Sequence, residues 1–405
     1  MRRPFRINLA DRLPALSSLL FRSLSLWCNP AIGISDRVNS MRQNYRLFGV
    51  WRLLAALLVM AYHFSHHVIN PVPVTTWFEH MLPLLDMFFI MSGFLIFEHY
   101  GRMENTRSNY ISFLIKRLAR LYPLHILTLS VFVAVGLSVH LGVFNSAAAD
   151  TRYDFTTLPA NLLLIQAWGV DSELTFNYVS WSLSGEWFAY LIFPLILFAF
   201  HRGRIGGLVV LLALAVAMLE FADRGAVEKY DFWFNAKEWA AYRVAADFIF
   251  GYILCNVTRK LSVPLASQWL AWSALGVVFV AMFANADIYI TLALFGVSIV
   301  LAALADRNDG AATAWLNPIM PIAGVSFGVY LWHPVVELFA YSFLWKRVLG
   351  ADDPVLFWAF MPLPMVATVA VALFSARFLE RPVGKWMETT LNGIVEKRST
   401  SPQQA

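Results

Sequence analysis

Charge is what this sequence lacks most. Asp, Glu, Lys and Arg make up 14% of its 405 residues, against about 25% in soluble domains. With 59% hydrophobic residues and a mean hydropathy of +0.59, that scarcity excludes a soluble globular fold. Cysteine is nearly absent: Cys28 and Cys255 form no CxxC or metal-like pattern, so no disulfide framework is implied and the redox compartment stays open. The chain has no GxxxxGK phosphate loop, no HExxH zinc motif and no HxxxxD. Internal repeats and low-complexity tracts are missing too. The net charge of +5 implies no nucleic-acid partner, because basic residues on a membrane protein mainly report orientation.

What is present is a succession of apolar blocks of roughly 18 to 24 residues, the length a helix needs to cross about 30 Å of hydrocarbon. They predict an all-α integral membrane bundle of about ten transmembrane helices, at 48–66, 81–97, 121–142, 182–200, 205–222, 238–257, 267–284, 287–304, 318–341 and 355–378. Of the 31 Lys and Arg residues, 23 then fall on the N-terminal side, six on the opposite side and two, Arg52 and Arg243, within spans. The positive-inside rule reads this as N-in/C-in. Residues 1–44, Arg- and Ser-rich, read as a cytoplasmic extension, with translation starting at Met1 or at Met41; 45–385 is the membrane domain and 386–405 a cytoplasmic tail. Two outer loops, 143–180 and 223–237, carry acids and aromatics, including Asp150, Asp154, Asp171, Glu173, Glu228, Tyr230, Asp231, Phe232 and Trp233. Such loops suit a sugar-like acceptor and equally an interfacial aromatic belt.

Ionisable side chains at membrane depth are expensive and mark structural pairs or working sites. His63, about fifteen residues up the first span, lies roughly 22 Å across, in the outer half. Asp86, Glu186 and His333 reach the same depth on their own spans, and a convergent set points to a functional cavity. Arg243 and Asp247, spaced i,i+4, read as a mutually neutralising pair. His125 and Glu220 fall near span ends, where snorkelling explains them. Arg52 sits low in the first span, placed to snorkel or to bind an anion. Arg117 and Arg120, spaced i,i+3, can address one phosphate group with both guanidinium forks, although a basic cluster there also fits simple positive-inside charge.

Six segments occur in order: Arg52 with His63 eleven residues on; Asp86-Met87-Phe88-Phe89-Ile90-Met91-Ser92-Gly93-Phe94-Leu95-Ile96; Arg117-Leu118-Ala119-Arg120-Leu121-Tyr122-Pro123; Trp181-Ser182-Leu183-Ser184-Gly185-Glu186-Trp187; Tyr330-Leu331-Trp332-His333-Pro334; and Glu380-Arg381-Pro382. Together they resemble the membrane-bound acyltransferase 3 family from about residue 46 to 385. One position departs: where the family often has an acid three residues before the first-span arginine, this chain has Gly49.

The resemblance implies transfer of an acyl group, commonly acetyl, from acyl-CoA to a hydroxyl of a cell-surface carbohydrate such as exopolysaccharide or lipopolysaccharide, at the bacterial inner membrane. It implies His63 and Asp86 as catalytic, Arg117, Arg120 and Arg52 as acyl-CoA-binding, and Trp181, Ser184, Glu186, Tyr330 and His333 as lining the substrate cavity. No metal or bound cofactor is implied; acyl-CoA enters as a donor substrate and the bilayer as solvent. In the expected chemistry a sugar hydroxyl attacks the thioester while His63 takes its proton and Asp86 orients the imidazole; an acyl-His63 intermediate is the alternative. A transporter or flippase would use the same intramembrane charges without an acyl donor, though the missing inverted repeats count against it.

Overall fold

Hydrocarbon offers no water to pair backbone N–H and C=O groups, so long apolar segments close their hydrogen bonds internally, as helices. The computed structural model describes residues 45–68, 72–143, 149–222, 236–237, 239–261, 267–350 and 353–400, and among them every regular element is helical. The expected extension 1–44 and the loop residues Glu228, Tyr230, Asp231, Phe232 and Trp233 lie outside the described residues.

Among the described residues, seven helices are long and apolar enough to cross a membrane: Arg46–Ser65, Val74–Tyr100, Arg107–His140, Phe193–Ala222, Ala240–Lys260, Ile288–Asn308 and Pro354–Val395. The other expected spans take shorter or broken forms. Trp181–Leu191 precedes Phe193–Ala222, which breaks at Arg204 (φ 54°, ψ −139°), between the expected blocks 182–200 and 205–222. Gln268–Phe283 has 16 residues. Ser326–Glu337 runs on as a π-helix, Leu338–Leu349. The expected tail from 386 continues the helix Arg381–Thr400.

The helices are labelled α1 (Arg46–Ser65), α2 (Leu84–Tyr100), α3 (Arg107–His140), α4 (Trp181–Leu191), α5 (Phe193–Ala222), α6 (Ala240–Lys260), α7 (Gln268–Phe283), α8 (Ile288–Asn308), α9 (Ser326–Glu337), α10 (Pro362–Ser375) and α11 (Arg381–Thr400). Side-chain caps fix several starts: Thr106 Oγ1 accepts the Asn109 N–H at 3.3 Å before α3, and Asp287 accepts the Tyr289 N–H at 2.9 Å before α8. Such caps are typically worth about 1 kcal/mol.

The core is built around α6, whose apolar window is 78% buried, whereas that of α5 is 11% buried and faces lipid. Two glycines let α6 meet α2 backbone to backbone. A Cβ on Gly251 would stand 2.1 Å from the Ile90 carbonyl oxygen, and one on Gly93 2.4 Å from that of Phe248. Without a hydrophobic force between helices in lipid, such close approach is what holds them together. On the other side of the bundle α9 packs against α1 and α10, and α11 lies along α3, where Gly384 comes so near that a Cβ would be 2.5 Å from the Ala119 carbonyl oxygen.

Candidate active site

The helix α9 carries Phe327, Tyr330, His333 and Glu337 at intervals of three or four residues, so they form one stripe. Ten residues of α-helix span about 15 Å. The stripe therefore runs from the Arg46 end of the bundle towards the end where α1 finishes.

At that far end the last turn of α1 supplies His63 and the residues after it supply His67. The His63 ring stacks on His333, centroids 5.2 Å apart and planes at 22°, and meets the Tyr178 ring edge-on at 4.9 Å. His333 is fully buried while His63 keeps partial exposure, so His63 is the imidazole a second molecule can reach. Glu337 closes the cluster: its Oε2 accepts the Tyr178 hydroxyl at 2.6 Å, and its Oε1 lies 2.7 Å from His67 Nε2. The His67 ring is in turn stacked on Tyr341 at 4.9 Å. Glu337 was not among the residues singled out from sequence. Its spacing of i+4 from His333 was the available signal, masked because Glu337 lies where that span nears its end.

Asp86 is fully buried and makes an ion pair with Arg243, Oδ1 to Nε at 3.0 Å. Arg243 thus bridges to the neighbouring helix, and Asp247, expected to neutralise it along α6, lies within the fields of both Arg243 and Asp86. The Arg243 guanidinium lies 5.2 Å from the Trp181 ring centroid. The structure groups Asp86 with this cluster; the carboxylate joined to the stacked imidazoles, through Tyr178, is that of Glu337.

Between the two ends lies a small cavity walled by α1, α2, α4 and α9, with Phe88, Ser182, Glu186, Phe327 and Tyr330 in its lining. Glu186 accepts the Tyr190 hydroxyl, and Tyr330, 5.7 Å from His333 by ring centroids, donates to the Val179 carbonyl at 3.3 Å. Ser184, expected in the lining, is fully buried and accepts the Ala167 N–H at 3.2 Å, tying α4 to the preceding loop; Ser182 takes the place at the cavity. At Gly49, where an acid was expected, a Cβ would meet Met320 Cε, the flexible end of a methionine, at 2.9 Å. Arg52 lies 4.1 Å over the Phe88 ring instead, within the fields of Arg120, Glu186 and Tyr190. His125, expected to snorkel, is fully buried, its Nε2 2.8 Å from the Asn161 carbonyl oxygen, while Glu220 accepts the Tyr289 hydroxyl.

At the Arg46 end an open groove runs between α3, α9 and α11, lined by Lys116, Arg120, Arg381 and Lys385 together with Glu380 and Glu388. Phe327 lines both this groove and the cavity. Arg120 and Lys116, spaced i,i+4, share the groove face. Arg117 turns inward, donating to the Tyr100 hydroxyl at 3.1 Å with the Tyr100, Phe113 and Tyr190 rings within 5.3–5.8 Å of its guanidinium. The two arginines thus point to different places, Arg120 to the groove and Arg117 to the aromatic rings of Tyr100, Phe113 and Tyr190.

The family model Acyl_transf_3, an acyltransferase domain, matches residues 48–377. Nodulation protein 10 of Rhizobium leguminosarum bv. viciae is 26% identical over 377 residues, 87% of this chain and 96% of that protein. Acyltransferase MdmB of Streptomyces mycarofaciens is 30% identical over 151 residues, 36% of this chain and 37% of that protein. No solved structure matches.

Proposed function

Because the chain belongs to the acyltransferase 3 family and is a multi-pass membrane O-acyltransferase, we propose that it moves an acyl group, most simply acetyl, from acyl-CoA to a hydroxyl of a cell-surface carbohydrate at a bacterial inner membrane. The observation that supports this reading is the continuity at Phe327, one side chain shared by a groove rich in cations and a cavity that reaches Tyr330, whose ring lies 5.7 Å from that of His333. A donor with phosphates at one end and a reactive thioester at the end of a long arm has that shape. In the proposed ten-span, N-in/C-in topology the groove opens to the cytoplasm and His63 faces the outer half.

The chemistry then follows. Lys116 and Arg120 hold phosphate oxygens through charge-assisted hydrogen bonds, and the arm passes Phe327 towards His333. The acceptor hydroxyl attacks the thioester carbonyl as His63 takes its proton; the C–O bond forms, the C–S bond breaks, and His63 returns the proton to the leaving thiolate. Base catalysis of this kind is typically worth about 10² to 10⁴. Asp86 acts from the neighbouring cluster, where its pairing with Arg243 fixes α2 against α6. Purified protein with radiolabelled acetyl-CoA and a crude envelope glycan is expected to label the glycan. No transfer to any glycan, with intact protein and bound donor, would remove the carbohydrate from the reading.

A further inference from the structure

Among the groups around His63, one cation has no role in the mechanism above. Arg152 ends the short helix Ala149–Arg152 and is only partly exposed. Its guanidinium lies between two aromatic rings, 5.5 Å from the centroid of Phe132 and 5.5 Å from that of Tyr178. Its Nε has no hydrogen-bond partner, and it makes no ion pair among the described residues.

The nearby carboxylates are spoken for. Glu337 gives one oxygen to Tyr178 and the other to His67, and Asp154, two residues along, spends Oδ1 on the Thr156 N–H and hydroxyl at 2.8 and 2.7 Å. Those two bonds hold the Asp154 carboxyl below its usual range, so it stays an anion fixed on its own turn.

Arg152 is also fixed in place. Its carbonyl accepts the Phe176 N–H at 2.8 Å. The next residue, Tyr153, is buried with Phe132 and Phe176 against α3, its ring seated where a Cβ on Gly136 would come within 3.1 Å. A half-buried guanidinium with its Nε shielded from water and no anion beside it has lost hydration without compensation, and here the fold holds one against the ring that also touches His63. Both groups pack on the Tyr178 ring, His63 at 4.9 Å and Arg152 at 5.5 Å from its centroid, which puts them within reach of a single sugar bearing a charged substituent.

We propose that Arg152 is an anion subsite of the acceptor site, selecting sugars that carry a carboxylate or phosphate on the same unit as the hydroxyl presented to His63. The proposal rests on the carbohydrate reading above. A bound anion would also offset the repulsion that Arg152 exerts on a protonated His63, so the subsite assists the proton transfer as well as binding.

The test compares binding of methyl glucoside, methyl glucuronide and glucose 6-phosphate to detergent-purified protein, and acetyl transfer to the same three from labelled acetyl-CoA. Binding of at least one charged sugar is expected to exceed that of the neutral one by about tenfold to a hundredfold, the range for hydrogen bonds to charged groups; which one it is separates carboxylate from phosphate recognition. Arg152→Gln is expected to level the three sugars while leaving neutral-sugar binding and acyl-CoA affinity unchanged. Arg152→Lys should keep part of the preference, since it retains the charge without the planar fork. Equal binding of all three to the native protein, or a preference that survives Arg152→Gln, would overturn the proposal. Selective binding abolished by Arg152→Gln but unaccompanied by transfer would uphold the subsite and count against the acceptor class instead.

Discussion

Replacing Glu337 by Gln removes one charge and keeps the shape of the side chain, which makes it the sharpest probe of how the imidazole centre works. Both Glu337 oxygens are engaged, by Tyr178 and His67. Its charge is also felt at His63, whose ring lies 4.9 Å from that of Tyr178. At an effective dielectric of about 20, a unit charge roughly 5 to 10 Å away stabilises an opposite charge by about 2 to 3 kcal/mol. Each 1.36 kcal/mol is a factor of ten in rate. If His63 becomes an imidazolium in the transition state, Glu337→Gln is therefore expected to lower kcat by roughly 30- to 150-fold. Affinity for acyl-CoA should not change, because the groove is lined by other residues. The assay is steady-state transfer from labelled acetyl-CoA, with donor affinity measured separately by equilibrium binding. A loss below about threefold, in a protein that binds donor normally, would mean that no cation forms at His63 and would refute the electrostatic argument.

His63→Ala should insert normally, since alanine lowers the cost of the span, and should lose transfer by about 10²-fold or more in the same assay. Asp86→Ala leaves the Arg243 guanidinium buried without the carboxylate 3.0 Å away; breaking a buried pair costs about 3 to 5 kcal/mol, to be read as a lower thermal midpoint in detergent and recovered in part by Asp86→Ala combined with Arg243→Leu. Arg120→Ala should raise the apparent KM for acyl-CoA by about tenfold to a hundredfold, whereas Arg117→Ala, which opens the aromatic cage of Tyr100, Phe113 and Tyr190, should show its main effect in thermal stability. Reporter fusions at Asn105 and Asp154 should give opposite signals, and like signals would break the N-in/C-in assignment.

The membrane class was legible because it depends on composition alone, and long apolar blocks in lipid have only the helix to become. The residues that gather at His63 were partly legible. His333 was placed by counting residues along a span, and the structure brings it into ring contact with His63. Depth says nothing about azimuth, however: two residues at one level can face different neighbours. Asp86 shares a depth with His63 yet is engaged by Arg243, and that pairing crosses between α2 and α6, whose contact is set by Gly93 and Gly251. Spacing along one helix offered Asp247 as the partner of Arg243 and could not foresee the cross-helix competitor. The same limit applies to Arg117 and Arg120, where a shared cluster concealed two directions.

The stripe on α9 ties these points together physically. A helix repeats its face every three or four residues, so Phe327, Tyr330, His333 and Glu337 follow one line through the bundle without any loop having to position them. Each has a partner on another element: Phe327 walls the groove with α3 and α11, Tyr330 bonds the Val179 carbonyl just ahead of α4, His333 stacks on α1, and Glu337 is held by Tyr178 and His67. A sideways shift of α9 would therefore disturb both the groove and the imidazole stack. What prevents it is its packing on α10, where a Cβ on Gly328 would stand 3.2 Å from the Ala372 Cβ. A larger side chain at 328, which itself lines the groove, would push the stripe off its line, so Gly328→Leu is expected to weaken acyl-CoA binding and acyl transfer together. Loss of only one of the two activities would show that the two ends are positioned independently.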